Sequence, residues 1–221
     1  MAILEGGTSG SLMGVGAESG MPAHFVAKPD PAGALGIYRT SHRCAVIAAQ
    51  AANSRLFEIQ NAHATNLVVV HSVRVQWLQT AAHTAAIEDS LDMFKCTSFS
   101  AVDTTNTVTP AVSKLRTSFG TPGANVRGVT VAGAAAGMTG GTLTKDTNPI
   151  VQVPQWLLLA VPTGGPTPFV SSGWNANVAD GESPLILVQN EGFIIENRVL
   201  LGAAAGSSVY IDVLWSELTA Y

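Results

Sequence analysis

The sequence predicts an all-β protein, a β-sandwich or jelly roll that carries an extended glycine-rich N-terminal arm. Several segments alternate apolar and polar residues as strands do, few segments have helical periodicity, and the loops are long and rich in glycine, threonine and proline. A chain of 221 residues is long enough to bury a core of this kind. We therefore expect an arm over residues 1–34 and one β-sandwich domain over residues 35–221.

The arm is predicted from composition. Residues 1–34 are rich in glycine and other small residues and show little periodicity, so the segment should be flexible by itself. Docking onto a neighbouring subunit would order it, because an arm that adds a strand or fills a groove finds there the hydrogen bonds that it lacks alone.

The clearest early strand is predicted over residues 67–79. Leu67, Val69, Val73, Val75 and Trp77 fall on one face and polar residues fall on the other, which is typical of a half-buried strand. Residues 80–89 are predicted to form a helical turn or a loop, and residues 103–109 are predicted to form a threonine-rich loop. The pattern predicts about nine strands in all: this one, the two C-terminal strands described next, and six more. The six are predicted at residues 43–49, 55–60, 91–101, 129–132, 143–144 and 151–161.

The C-terminal segment is predicted to be a β-hairpin that is central to the core. Its turn is expected at residues 202–207, between two strands whose apolar residues recur with period two. Each buried side chain of this size contributes about 1.5–3 kcal/mol. The predicted core residues are Phe193, Ile195, Val199 and Leu201 on the first strand and Val209, Ile211, Val213 and Trp215 on the second.

The surface is predicted to be poor in charge. Charged residues make up 12% of the chain and apolar residues 47%, so the polarity lies in hydroxyl, amide and glycine residues, which suit subunit contacts. Residues 147–179 contain no Asp, Glu, Lys or Arg. They are also interrupted by five prolines, which excludes a membrane helix, and we interpret them as a contact surface within a larger assembly.

Composition also argues against several partners and compartments. The net charge is −4 and no run of basic residues is present, so we expect no nucleic-acid binding and no membrane binding. The N-terminus lacks the features of a signal peptide. Cys44 and Cys96 are predicted to be reduced, buried thiols, which fits synthesis in a reducing cytoplasm.

No pattern of catalytic or metal-binding residues is found. The five histidines lack metal-ligand spacing; His71 is expected to be a hydrogen-bonded core residue, and His63 and His83 could approach each other at a sheet edge. The acidic run of Glu88, Asp89 and Asp92 is expected to be a solvated loop rather than a calcium site. We therefore predict no catalytic, cofactor-binding or metal-binding residues and no enzymatic activity.

The tryptophans are divided by their surroundings. Trp77, Trp156 and Trp215 are predicted to be buried, whereas Trp174 lies among Ser, Gly and Asn residues in a predicted loop. Trp174 could stack on a sugar ring or insert into a neighbouring subunit, and the second role is favoured because no paired carboxylates or amides accompany it.

Several stretches resemble a family of tailed-bacteriophage virion structural proteins. The resemblance spans nearly the whole chain but consists of strand and turn patterns rather than catalytic signatures. It implies a structural component of the virion, made in the host cytoplasm, with no known enzymatic role. The stretches that carry it are residues 4–10 (LEGGTSG), 36–43, 53–58 (NSRLFE), 66–79, 95–101, 116–118 with Gly120, 184–193 (PLILVQNEGF) and 213–217 (VLWSE).

We expect a capsid cement or decoration protein that stabilises the head by binding between capsid subunits. A tail, neck or baseplate adaptor and a receptor-binding β-sandwich remain as alternatives. The expected partners are the major capsid protein or other virion proteins, and further copies of the chain, for which a trimer is one arrangement. The candidate interface residues are Leu4, Leu12, Met13, Phe25, Phe169, Val170, Trp174 and Asn175.

Overall fold

The computed structural model is all-β, and its sheets are antiparallel. It describes residues 4–6, 11–13, 34–83, 87–157, 172–175, 184–202 and 206–219, and none of these residues is helical. The chain divides into two compact units, Met1–Ala32 and Gly33–Tyr221. In the first unit, a two-stranded sheet pairs Leu4 with Met13 and Glu5 with Leu12.

Fifteen strands are found in the described residues. In chain order they are β1 (Leu4–Gly6), β2 (Ser11–Met13), β3 (Ala34–Ile47), β4 (Arg55–Asn61), β5 (Leu67–Ala81), β6 (Ile87–Ala101), β7 (Thr107–Val108), β8 (Val112–Lys114), β9 (Ala124–Val129), β10 (Thr142–Lys145), β11 (Val151–Leu157), β12 (Ser172–Asn175), β13 (Leu185–Leu187), β14 (Gly192–Asn197) and β15 (Gly206–Leu218).

The second unit contains two large sheets. The seven-stranded sheet has the order β10-β6-β14-β4-β9-β7, and β11 also pairs with β6. The six-stranded sheet has the order β12-β5-β15-β3-β8, and β13 also pairs with β5. One continuous apolar core contains residues of both sheets, among them Phe57 and Phe193 from the first and Trp77 and Trp215 from the second. The architecture is consistent with a β-sandwich.

The predicted C-terminal hairpin is wrong in its pairing and right in its apolar faces. β14 pairs with β4 and β6, whereas β15 pairs with β3 and β5, so the two strands belong to different sheets. Seven of the eight predicted residues nevertheless belong to the core, and Val199 packs against it. Period-two alternation identifies the face that is buried but does not identify the neighbouring strand.

A bulge changes the faces predicted for β5. The pairing of β5 with β15 runs from Leu214 opposite Ser72 to Trp215 opposite Val70 and passes over His71. Because one extra residue reverses the alternation, Val68 and Val70 join Val73, Val75 and Trp77 in the main core. Val69 is buried, as predicted, but lies outside that cluster, and Leu67 is half-buried.

Other expectations differ from the structure at their ends. The strand predicted at residues 43–49 begins at Ala34, within the predicted arm, and ends at Ile47. The strand predicted at residues 129–132 lies earlier, over Ala124–Val129, because residues 130–132 turn. Residues 80 and 81 end β5 and residues 87–89 begin β6, so strands replace half of the predicted turn.

The seven-stranded sheet is buried on both faces at its centre. All six residues of β14 are buried, and Ile194 lies in a second apolar cluster, whereas Phe193 and Ile195 lie in the main core. Successive strand residues point to opposite faces, so the second cluster covers the outer face of this sheet. Its other members are Phe94, Cys96 and Phe99, with Val102 and Leu143 packed against them.

Close packing at Gly192 gives a first stability prediction. A Cβ added to Gly192 would lie 2.2 Å from the carbonyl oxygen of Ile59 and 2.6 Å from the Phe99 ring. Gly192→Ala should therefore destabilise the fold by about 1–3 kcal/mol, the usual cost of overpacking. Chemical denaturation should show the loss. Gly120→Ala is the matched control, since a Cβ there meets nothing within 4 Å; equal stability of both variants would contradict the prediction.

Candidate functional site

The outer face of the seven-stranded sheet contains a buried ionic cluster of Arg55, Glu58 and Asp103. β4 supplies Arg55 and Glu58, and Asp103 follows β6. The Asp103 backbone N–H donates to Glu58 Oε1 at 2.7 Å, and Arg55 Nη2 lies 3.0 Å from Asp103 Oδ1. Glu58 and Asp103 are 0% exposed. The cluster therefore stabilises the fold internally, and its two carboxylates are not accessible to solvent.

Burial, followed by the neighbouring charge of Asp103, raises the pKa of Glu58 to about 8. Glu58 Oε2 and Asp103 Oδ2 are both buried and accept no hydrogen bond from a donor in the structure. One proton on Glu58 that is donated to Asp103 satisfies both oxygens and removes one of two adjacent negative charges. Because the raised pKa of Glu58 lies above neutral pH, we expect Glu58 to carry this proton at pH 7.

This cluster fixes two neighbouring loops. The backbone N–H of Gly141 donates to Asp103 Oδ1 at 2.6 Å. The N–H groups of Thr104 and Thr105 donate to the carbonyl of Thr139 at 3.1 and 3.0 Å. The ionic cluster thus joins the chain after β6 to the chain before β10.

The predicted solvated acidic loop is wrong. Glu88, Asp89 and Asp92 lie on strand β6, and only Glu88 is exposed. Asp89 Oδ1 accepts the backbone N–H groups of Ser90, Arg198 and Val199. Burial raises the pKa of Asp89 to about 6, against the effect of these hydrogen bonds.

A cleft of about 650 Å³ opens beside this acidic run. Ser90 Oγ donates to Asp92 Oδ1 at 2.6 Å, and Gln152 Nε2 donates to Asp92 Oδ2 at 3.3 Å. The cleft can present carboxylate, amide and guanidinium groups to a small polar ligand. Its lining residues are Glu88, Asp89, Ser90, Gln152, Pro154, Arg198 and Val199.

The histidines lie in separate environments. His71 is half-buried, and its Nε2 lies 2.9 Å from Ser216 Oγ, so the predicted hydrogen bond is found, although the bulge places this residue outside the main core. His63 contacts Asn66 and His83 contacts Ser207, so the structure does not bring those two imidazoles together. Burial lowers the pKa of His42, His71 and His83. Among the described residues, no group of three potential ligands could hold a metal ion.

Both cysteines are free and buried, as predicted. Burial raises the pKa of each thiol to about 12. A thiol that stays protonated is a poor nucleophile, so Cys44 and Cys96 act as small apolar groups in the two clusters.

The predicted interface residues fall in three places. Leu4 lies in β1, and Leu12 and Met13 lie in β2. Trp174 and Asn175 lie in strand β12, where their backbones pair with Val73 and Ser72, so the loop predicted around Trp174 is wrong. Trp77 and Trp215 are buried, as predicted. Phe25, Phe169 and Val170 lie outside the described residues.

Sequence reasoning missed the ionic cluster. Glu58 alternates with Phe57 and Ile59, a pattern that predicts an exposed carboxylate. Asp103 is 45 residues away and lies in a predicted loop. These two carboxylates are buried next to each other only because the second apolar cluster covers the outer face of the sheet.

No protein-family model matches the chain. No curated protein and no solved structure matches it either. Within the part of the chain that the structure describes, none of the segments forms a helix long and apolar enough to cross a bilayer.

Proposed function

We propose that this chain is a bacteriophage virion structural protein built on a jelly roll, and specifically a capsid cement or decoration protein. It binds between capsid subunits and stabilises the head. The major capsid protein is its principal partner, and further copies of the chain join the same assembly.

The observation that carries the proposal is the strand order. We count β3, β4, β5, β6, β11, β12, β14 and β15 as strands one to eight, with β13 as a second segment of strand six. The six-stranded sheet then reads six-three-eight-one, and the seven-stranded sheet reads five-four-seven-two. The first and last strands are neighbours, and successive strands change sheet except from four to five, as in a double-sheet jelly roll. Viral capsid proteins use this fold. The step from fold to function is an analogy, which the resemblance to phage virion proteins supports.

The charge distribution supports association through neutral surfaces. Residues 147–179 contain no charged side chain, so covering them in an assembly avoids the large cost of desolvating ions. The glycine-rich arm over residues 1–34 adds a second attachment. Two attachments on one particle raise the effective affinity without requiring a large single interface.

The proposal predicts a defect in head stability. Phage particles assembled without this chain should have normal shape but should rupture at a lower temperature or under milder osmotic shock. Adding the full chain should restore stability, while a chain that lacks residues 1–33 should fold, because β3 begins at Ala34, yet fail to load. Circular dichroism measures the fold, and gel densitometry against the major capsid protein measures loading.

Two outcomes would contradict this account. Normal loading of the truncated chain would exclude a role for the arm. Robust heads that lack tails or fail to infect would indicate a tail, neck or baseplate adaptor instead. Val170→Asp or Asn175→Asp should weaken attachment, since either change adds a charge to the neutral segment.

A receptor-binding module is the second candidate, and the 650 Å³ cleft beside β6 and β11 favours it. Lectin domains also use jelly rolls. Binding of host-cell surface glycans to the isolated chain, and loss of that binding in Gln152→Ala, would support this candidate over the capsid role.

A further inference from the structure

We infer that the outer face of the six-stranded sheet docks onto an acidic surface of a neighbouring virion protein. The inference rests on the proposed function and adds to it the contact surface and the charge of the partner. We call this surface the arginine face. It consists of outward residues of the three central strands: Leu35, Ile37, Arg39, Ser41 and Arg43 of β3, Ser72, Arg74, Gln76 and Leu78 of β5, and Tyr210, Asp212 and Leu214 of β15.

Strand alternation exposes these residues. Between Gly36 and Val46 of β3, every even-numbered residue is buried and every odd-numbered residue is half-buried or exposed. The same holds for β5 from Val73 to Gln79 with the parity reversed. The inward residues fill the core, so the outward ones are available to a partner.

Strand register assembles the face into three rows. The first row is Gln76, Tyr210 and Arg43; the second is Arg74, Asp212 and Ser41; the third is Ser72, Leu214 and Arg39. Side chains opposite one another on neighbouring strands lie about 5 Å apart, so each row forms one continuous contact strip. The register therefore concentrates three arginines on a single flat surface.

The arginine face is positive in a negative chain. Arg39, Arg43 and Arg74 outnumber Asp212, giving a local charge of +2, since three positive charges face one negative, against −4 for the whole chain. Asp212 is already engaged, because it accepts a hydrogen bond from Ser41 and lies 3.8 Å from Arg39 Nη2. A partner with exposed carboxylates complements the charge that remains.

Composition distinguishes this face from an ordinary solvated surface. Strands β3, β5 and β15 contain no lysine. Protein interfaces are enriched in arginine and tyrosine and depleted of lysine. The Arg43 guanidinium lies 5.8 Å from the Tyr210 ring centroid and its Nη2 donates to Ser208 Oγ, so its side chain is held in place before binding. Such preorganisation lowers the entropic cost of association.

The size of the face suits one part of a larger contact. The three rows cover five residues of each strand, about 17 Å, and three strands spaced about 4.8 Å apart give roughly 250 Å². A standard interface buries about 800 Å² on each partner. The arginine face thus supplies about a third of such an interface.

The charge pattern also selects among occupants. Two copies that met through this same face would bring together two surfaces that are both net positive, because a two-fold interface opposes identical patches. Nucleic acid would require more cations than three arginines around an aspartate. An acidic protein surface is the occupant that the face complements.

Charge reversal on the particle tests the inference. Particles of the phage that encodes this chain, assembled without it, are mixed with the purified full chain carrying Arg43→Glu or Arg74→Glu. Each variant should load at least 10-fold fewer copies than the wild type. Lys114→Glu is the control. Lys114 is exposed, but it pairs with Tyr38, whose side chain faces inward, so Lys114 is not part of the arginine face. All three substitutions are at exposed positions, so melting temperatures should stay close to that of the wild type.

The outcomes separate this inference from the proposed function. Loading of both arginine variants at the wild-type level would overturn the inference and leave the proposed function intact, whereas failure of the wild-type chain to load would overturn both. Phenylglyoxal should modify Arg39, Arg43 and Arg74 in the free chain and not in loaded particles; equal modification would also refute docking through this face. Wild-type binding to a DNA oligonucleotide at physiological salt, or a dimer in solution that protects the same arginines, would assign the face to another occupant.

Discussion

Trp215→Ala should lower the stability of the fold by about 3–5 kcal/mol, the usual cost of removing a large buried aromatic side chain. Trp215 is fully buried on β15 and lies opposite Tyr38 of β3 and Val70 of β5. Its ring centroid is 5.7 Å from that of Tyr38. Because β15 is the central strand of the six-stranded sheet, the cavity would open in the middle of the core. Thermal unfolding should show a decrease of about 10 °C or more.

Tyr210→Ala is the matched control for this prediction. Tyr210 lies on the same strand, five residues earlier, but its side chain is exposed on the arginine face. Its removal should change the melting temperature of the isolated chain by only a few degrees. If the two variants melt together, the assignment of β15 faces is incorrect.

Glu58→Gln should stabilise the protein at alkaline pH and remove a pH dependence of the wild type. The pKa of Glu58 is raised from 4.5 to about 8 by burial and then by Asp103, so the folded state keeps a proton that the unfolded state has released. Between these two pKa values the folded state binds more protons, and stability therefore falls as the pH rises. The largest slope for one proton is about 1.4 kcal/mol per pH unit.

Glutamine preserves the hydrogen bonds without the titration. Its Oε1 can still accept the Asp103 N–H, and its amide can donate to Asp103 in place of the shared proton. The wild type should lose about 1–2 kcal/mol between pH 6.5 and pH 8 in denaturant titrations, and Glu58→Gln should lose much less.

The chosen pH window separates the titration of Glu58 from those of Asp89, the three histidines with lowered pKa values and the two thiols. The raised pKa of Asp89 is about 6, and the buried histidines titrate below 6.5, so these groups change mainly at lower pH. The two thiols titrate at higher pH. Glu88→Gln, at an exposed carboxylate on β6, should keep the wild-type slope. A slope that persists in Glu58→Gln would show that the shared proton is not its origin.

The sequence by itself determined the class of fold and most of the core. Alternation identifies Phe193, Ile195 and Trp215 as buried because side-chain direction in a strand follows directly from chain position. It also identified the two buried cysteines, since a small apolar thiol is usually found in a core.

Only the tertiary structure decided which strands are neighbours and which carboxylates are buried. Pairing of β15 with β3 joins residues more than 160 positions apart, as in Ser208 and Ala45, and local periodicity contains no information about such partners. The bulge at His71 reverses a face because a single unpaired residue shifts the register, and no composition rule requires it there. Glu58 and Asp103 become buried neighbours because a second apolar cluster covers a sheet face that the alternation of apolar and polar residues predicts to be solvent-exposed. Burial of that face, rather than the residues themselves, sets their chemistry.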